Sequence, residues 1–238
     1  MQEKSKEDIN RDPSSFAEPR TNTDRDLEYR VRISQHFESS KGNIYEKLWS
    51  FARFVPRQRL TMLLSKYDIM KQILDVQGSI IEVGVQFGSG LFEWAQLCEI
   101  LEPRNYQRKI YGFDNFLGFE SITSKDEHKQ KSVHLVEGGL KAEVYDDLLE
   151  NIKIYNLTRT LGHIDKMFLI KGNALDTIPK FIEENPQLVV SLLYLDVDLY
   201  NPTMTALEYF LPRMPKGSII VFDELNCEKF PGETIAIH

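Results

Sequence analysis

An apolar run, Leu188 to Leu195, sets the tightest limit on how this chain can fold. Its length and its Val-Val and Leu-Leu pairs suit a strand buried on both faces, and such strands belong to parallel sheets covered by helices. The run ends in Asp196 and Asp198, two carboxylates for which a buried strand has no structural need. In an open parallel sheet, ligands bind beyond the carboxyl ends of the strands. Two readings fit this tip. It faces a ligand, or it is a solvated strand end with Asp198 capping a helix that starts near Thr203.

The surrounding pattern agrees with a parallel sheet. From Ser79 onward, apolar strand-like runs at 79–85, 108–113, 166–170, 188–195 and 217–222 alternate with helical periodicity at 89–101, 175–184 and 202–211. That alternation predicts an α/β domain with helices on both faces of the sheet. The 238 residues suffice for one sizeable domain with a helical extension. Residues 1–40 are rich in charged and small polar side chains, which predicts a flexible tail. In 41–78, Ile44, Leu48, Phe51 and Phe54, then Leu60, Leu63, Leu64, Ile69 and Ile73, recur at helical spacing around Pro56. This segment is expected to pack on, or lid, the domain formed by 79–238. Within that domain, 118–166 is a long polar insertion with a helix expected over 142–155, in the place of a lid or binding loop.

Composition removes several classes of function. The net charge of -7 lacks the basic excess of a nucleic-acid-binding surface. The two cysteines, Cys98 and Cys227, show no metal or disulfide spacing, which favours a reducing compartment. No apolar run reaches membrane-spanning length and the N-terminus lacks a signal-like apolar core, so a cytoplasmic protein without a membrane partner is expected.

Three turns carry candidate ligand contacts. The first, Gly84-Val85-Gln86-Phe87-Gly88-Ser89-Gly90, follows a strand containing Glu82 and opens a helix. Glycine lets a ligand approach the backbone, and a helix N-terminus offers free N–H groups. Gln86 stands where a dinucleotide fingerprint has its middle glycine, so the turn suits a smaller group such as an amino acid moiety, or is simply a tight βα turn. The second turn ends a strand in Asp114, placed either to accept from ribose hydroxyls or to form an Asx-turn. The third holds Asn173, which suits an adenine edge or a helix N-cap equally. The last strand ends in Asp223-Glu224. Strands 188–195 and 217–222 are expected neighbours, which gathers Asp196, Asp198, Asp223 and Glu224. Four carboxylates in a small space need a cation, and oxygen ligands favour a hard one such as Mg²⁺.

These segments carry a resemblance. Glu82-Val83-Gly84 with Gly88, Tyr111-Gly112-Phe113-Asp114, Asp196-Val197-Asp198-Leu199-Tyr200-x-Pro202-Thr203, and Val221-Phe222-Asp223-Glu224 are similar to the macrocin O-methyltransferase family, nearest its deoxysugar 3-O-methyltransferase branch. Phe54-Val55-Pro56-Arg57-Gln58, Asp223 to Asn226 and Pro231 to Glu233 extend the likeness. It implies a Rossmann-like class I methyltransferase fold whose C-terminal hairpin is missing here. It also implies S-adenosylmethionine and Mg²⁺ or another hard divalent cation as cofactors, and a sugar or nucleotide-sugar substrate. By the same resemblance, Glu82, Gly84, Gly88 and Ser89 surround the methionine part of the cofactor, Asp114 holds the ribose and Asn173 lies by the adenine. Asp196, Asp223 and Glu224 bind the metal, and Asp198 is the general base. A homo-oligomer is expected. The alternatives are a non-catalytic or truncated cofactor-binding module and a nucleotide-binding oxidoreductase.

Overall fold

The computed structural model describes Asp12, Glu18 and residues 22–238. The chain divides into two compact units, Met1–Met62 and Leu63–His238.

In the first unit, α1 spans Asp24–Ser39 and α2 spans Ile44–Trp49. Both start at a capping box, a cap side chain and the third helical residue each accepting from the other's backbone N–H. Thr23 pairs with Asp26, and Asn43 with Glu46. A flexible tail over 1–40 is therefore not what residues 24–39 form; the part of that reading before residue 22 falls almost wholly outside the described residues. Composition averaged over forty residues hides a local start signal. An i,i+4 pair, Glu28–Arg32, adds support to α1. Lys47, buried, donates its ammonium to the Phe37 and Glu38 carbonyls that end α1, and the Phe37 and Phe54 rings meet edge to face at 4.9 Å. Helix α3, Arg57–Gln72, runs across the division between the units.

The second unit is a five-stranded sheet, all parallel, in the order β3-β2-β1-β4-β5. Its strands are β1 Ser79–Val83, β2 Ile110–Asp114, β3 Met167–Lys171, β4 Val190–Leu195 and β5 Ile219–Phe222. The crossovers are α4 Ser89–Leu101, α5 Tyr145–Asn156, α6 Ala174–Glu184 and α7 Tyr200–Phe210, and α8 Gly232–Ile237 follows β5. Strand residues alternate between two apolar layers, as the pleat requires. Ile80, Ile110, Leu192 and Tyr194 face Met70, Leu91, Trp94 and Leu148 on one side. Ile81, Phe113, Leu193 and Leu195 face Ile178, Phe181, Leu207 and Phe210 on the other. Every residue of β1 and β4 is buried, which is why both runs are largely apolar, with Ser79 and Glu82 in β1 and Ser191 in β4 as buried polar exceptions.

The end of the sheet away from the site is closed by Arg108. Its buried guanidinium donates to Glu102 (2.6 Å), to the carbonyls of Gly78, Ile73 and Val76, and to Ser191. The other end, where the strands point, is left to loops. The insertion's helix begins at Tyr145, three residues later than the periodicity suggests. A small core of its own, Phe119 and Leu135 against Leu199 with Ile122, Leu140 and Phe230 beside them, ties the insertion to the segments after β4 and β5.

Candidate active site

Three adjacent strand tips, those of β2, β1 and β4, build one side of the site. Gly84 leaves β1 at φ 95°, and a Cβ there would overlap the carbonyl of Asp196 at the tip of β4. The two tips are in backbone contact, and only glycine permits it. The turn that follows is held from β2. Asp114 Oδ2 accepts from the N–H groups of Val85 and Gln86, both at 2.8 Å, and Oδ1 accepts from Phe116 N–H at 2.6 Å. The last bond is the Asx-turn, so that reading of Asp114 is present in the structure alongside its grip on the glycine turn. Gly88, at φ 81°, starts α4 without a side-chain cap, and Ser89 lies exposed at its first position. Asn173 is the N-cap of α6: its Oδ1 accepts from Leu175 N–H (2.9 Å) while its Nδ2 donates to Glu120 (2.6 Å).

Glu82 lies deeper than the turn. It is fully buried on the α4 side of β1, its Oε2 has no hydrogen-bond partner, and a Cβ on Gly90 would strike its Oε1. Lys66 reaches the same space, pairing with Glu93 at 2.8 Å and lying over the rings of Trp94 and Tyr194. Burial pushes the Glu82 carboxyl from its ordinary 4.5 up to about 8, with the Lys66 ammonium pulling the other way. The folded chain then holds more protons than the unfolded one between those values, so stability falls as pH rises through that window. Glu82→Gln is expected to lose this slope. Its melting temperature should exceed that of the parent at pH 8.5, and the two should converge at pH 5 in thermal scans.

The acids of β4 and β5 surround the other side. Asp196 and Asp223 continue the parallel ladder, their N–H groups donating to Val83 and Leu195 (both 2.9 Å), and Tyr194 donates its hydroxyl to Asp223 Oδ1 at 2.9 Å. Burial, then the neighbouring Asp223 and Glu233, push Asp196 up to about 8; Asp198 is raised well above the usual carboxylate range by burial and then by Asp196 and Glu233. Among the described residues, no three His, Cys, Asp or Glu side chains stand so that they could hold a metal ion. Asp196, Asp223 and Glu224 are thus near one another without forming a three-carboxylate cage.

Asp198 does not cap α7. That helix begins at Tyr200 rather than near Thr203, with Leu199 in the cap position and no side-chain cap from it. Asp198 instead sits at φ 63° in the middle of a γ-turn closed by Leu199 N–H to Val197 O at 2.7 Å. A positive φ marks the rarer, strained form of that turn. Two carboxylates that sequence reasoning passed over hold this turn. Glu233, completely buried in α8, accepts from Val197 and Asp198 N–H through Oε1 (3.2 and 3.1 Å) and from Glu224 N–H through Oε2 (3.3 Å). Asp126, in the insertion, accepts from Tyr200 N–H at 2.6 Å. Pro231-Gly232-Glu233 was visible in the sequence as part of a family likeness, but nothing local marked either acid as a partner of the β4 tip.

The sheet order, the glycine turn and the acidic tips define a Rossmann-like class I methyltransferase. The profile of the Macrocin-O-methyltransferase (TylF) family matches residues 1–235, and the chain belongs to that family. The crystal structure of CalS11, a calicheamicin methyltransferase, is 34% identical with a TM-score of 0.85, covering 91% of this chain and 84% of that one. The apo structure of CalS11, described as a TDP-rhamnose 3'-O-methyltransferase, has a TM-score of 0.77 at 34% identity, covering 91% of this chain and 85% of that one. The 8-demethyl-8-(2,3-dimethoxy-alpha-L-rhamnosyl)-tetracenomycin-C 4'-O-methyltransferase of Streptomyces olivaceus is 26% identical over 151 residues, 63% of this chain. The match spans about half of that relative, 53% of its length.

Proposed function

We propose that this protein transfers a methyl group from S-adenosylmethionine to a hydroxyl of a sugar, carried as a nucleotide-linked deoxysugar, a glycoside or a polysaccharide precursor. The observation that carries the reading is the backbone contact between Gly84 and Asp196: a shelf suited to a small cofactor directly adjoins a cluster of acids. The rhamnose derivatives in the names of two relatives support the substrate class. Gly84, Gly88, Ser89 and Glu82 would lie around the methionine part, Asp114 by the ribose and Asn173 by the adenine.

Asp198 would accept the hydroxyl proton at its carboxylate as the oxygen attacks the methyl carbon, held in line by the surrounding turns. The oxygen donors of Asp196 and Asp223, with Glu224 beside them, suit a hard divalent cation in chemistry. When bound, such an ion would lower the pKa of the substrate hydroxyl. The support for this part of the reading is Asp196, whose carboxyl is pushed up to about 8 by burial and then by the neighbouring Asp223.

The test is incubation of the purified protein with S-adenosylmethionine and a panel of TDP-deoxysugars, followed by mass spectrometry. A gain of one methylene is expected, with EDTA slowing it by roughly 100-fold and leaving cofactor affinity within about 3-fold. Cofactor binding without transfer to any sugar would reduce the protein to a binding module. Binding of NAD in place of S-adenosylmethionine would turn the reading to an oxidoreductase, and full activity in EDTA would remove the metal.

A further inference from the structure

Four consecutive backbone N–H groups, Val197 to Tyr200, form the turn that carries Asp198, and every one of them is taken. Val197 and Asp198 donate to Glu233, Leu199 to the Val197 carbonyl, and Tyr200 to Asp126. The two carboxylates come from opposite directions in the chain, 35 residues after Asp198 and 74 residues before Tyr200. Both are buried, at 0% and 1% exposure. They meet at Gly232, where a Cβ would lie 2.5 Å from Tyr200 N and 2.6 Å from both Asp126 Oδ1 and Asp198 O. Asp126 is itself fixed within the insertion: its Oδ2 accepts from Thr123 N–H (2.8 Å) and Thr123 Oγ1–H (2.7 Å). The neighbouring Lys125 ammonium covers the Tyr200 ring at 3.5 Å.

A non-glycine residue at φ 63° in a γ-turn is strained and persists only where its surroundings over-determine it. Here the surroundings are two buried carboxylates, and a charged acceptor makes stronger hydrogen bonds than a neutral one. We propose that Asp126 and Glu233 are positioning residues. Together they hold the Val197–Tyr200 turn in its strained form and so aim the Asp198 carboxylate. Because Asp126 belongs to the insertion, the turn takes this form only when the insertion is seated, which makes the insertion a condition for reaction as well as a cover. The aiming role rests on the proposed function of Asp198; the clamp itself does not.

The experiment therefore has two arms. Hydrogen–deuterium exchange on the full chain reads the amides of residues 197–200 in the parent, Asp126→Ala, Asp126→Asn and Glu233→Gln proteins. Steady-state methyl transfer reads kcat and KM. In Asp126→Ala, protection is expected to fall at Val197 and Asp198, which Asp126 does not touch, as well as at Tyr200. Turnover should fall roughly 10- to 100-fold through kcat, the effect of about 1 Å of misplacement, with KM for S-adenosylmethionine unchanged. Asp126→Asn keeps its carbonyl oxygen for Tyr200 N–H, gives up only the Thr123 N–H bond at its other atom, and should recover kcat to within about 3-fold of the parent. Glu233→Gln replaces one acceptor oxygen by an NH₂ group and should lose protection at residue 224 or at 197–198. If Asp126→Ala unfolds, circular dichroism shows it, and Asp126→Asn with Glu233→Gln then carry the comparison. Parent-like protection at 197–198 in Asp126→Ala overturns the clamp. Lost protection with unchanged kcat overturns the positioning role. A parent protein that transfers no methyl group, yet shows the expected exchange pattern, counts against the sugar methyltransferase reading and leaves the clamp standing.

Discussion

Gly84→Ala is expected to lose cofactor binding and to melt about 5–15 °C below the parent, the shift of a loss of about 2–5 kcal/mol in a domain of this size. Two costs add. The backbone at Gly84 has φ 95°, where L side chains are strained, and the new methyl would overlap the carbonyl oxygen and carbon of Asp196 and crowd Val197 N. These neighbours are backbone atoms at the end of a strand buried along its whole length, so they cannot rotate aside. Relief would have to come from separating β1 and β4 at their tips, breaking the Asp196 N–H to Val83 bond of 2.9 Å. Gly138→Ala is the control. Gly138 also has a positive φ, 72°, but nothing lies within 4 Å of its added Cβ, so it reports conformational strain alone, about 1 kcal/mol. Thermal melts and titration calorimetry with S-adenosylmethionine separate the two. Equal melting temperatures for the two variants would show that the strand tips are not in tight contact.

The sheet was legible because two-sided burial favours apolar residues along a whole strand. Ile80-Ile81 and Leu192-Leu193 supply one apolar side chain to each layer, so β1 and β4 stand out as apolar runs broken only by Ser79, Glu82 and Ser191. The acids at the strand tips stood out against those runs for the same reason. What the sequence did not reveal depends on long-range pairing. Glu233 and Asp126 are ordinary polar residues in turn-rich segments, and their role exists only once the chain brings them to the β4 tip. Lys66 and Glu82 share a buried space beside Gly90, where an added Cβ would meet both, and no spacing rule predicts it. Asp198 was a reasonable helix cap by residue type and position. The cap reading fails because the γ-turn brings Leu199, not Asp198, to the start of α7, and a carboxylate from the insertion already occupies the first helical N–H.

Asp198→Asn is expected to reduce kcat by roughly 10²–10⁴-fold, the usual contribution of a positioned general base, while folding and cofactor affinity stay close to the parent's. The substitution is nearly isosteric and removes only the ability to take up a proton. It is also gentle on the backbone, because asparagine is among the residues that accept a positive φ most readily. The N–H groups of Val197, Asp198 and Tyr200 keep Glu233 and Asp126 as acceptors, since neither depends on the side chain at 198. The measurement is single-turnover methyl transfer with saturating cofactor and sugar, which isolates the chemical step from product release. Calorimetry gives the affinity for S-adenosylmethionine, and a melt gives the stability. A loss of turnover with both of the others intact assigns proton acceptance to Asp198. A kcat within about 3-fold of the parent would pass that role to another group at the acidic tips, where Asp196, raised to about 8 by burial and by Asp223, is the next carboxylate along the strand.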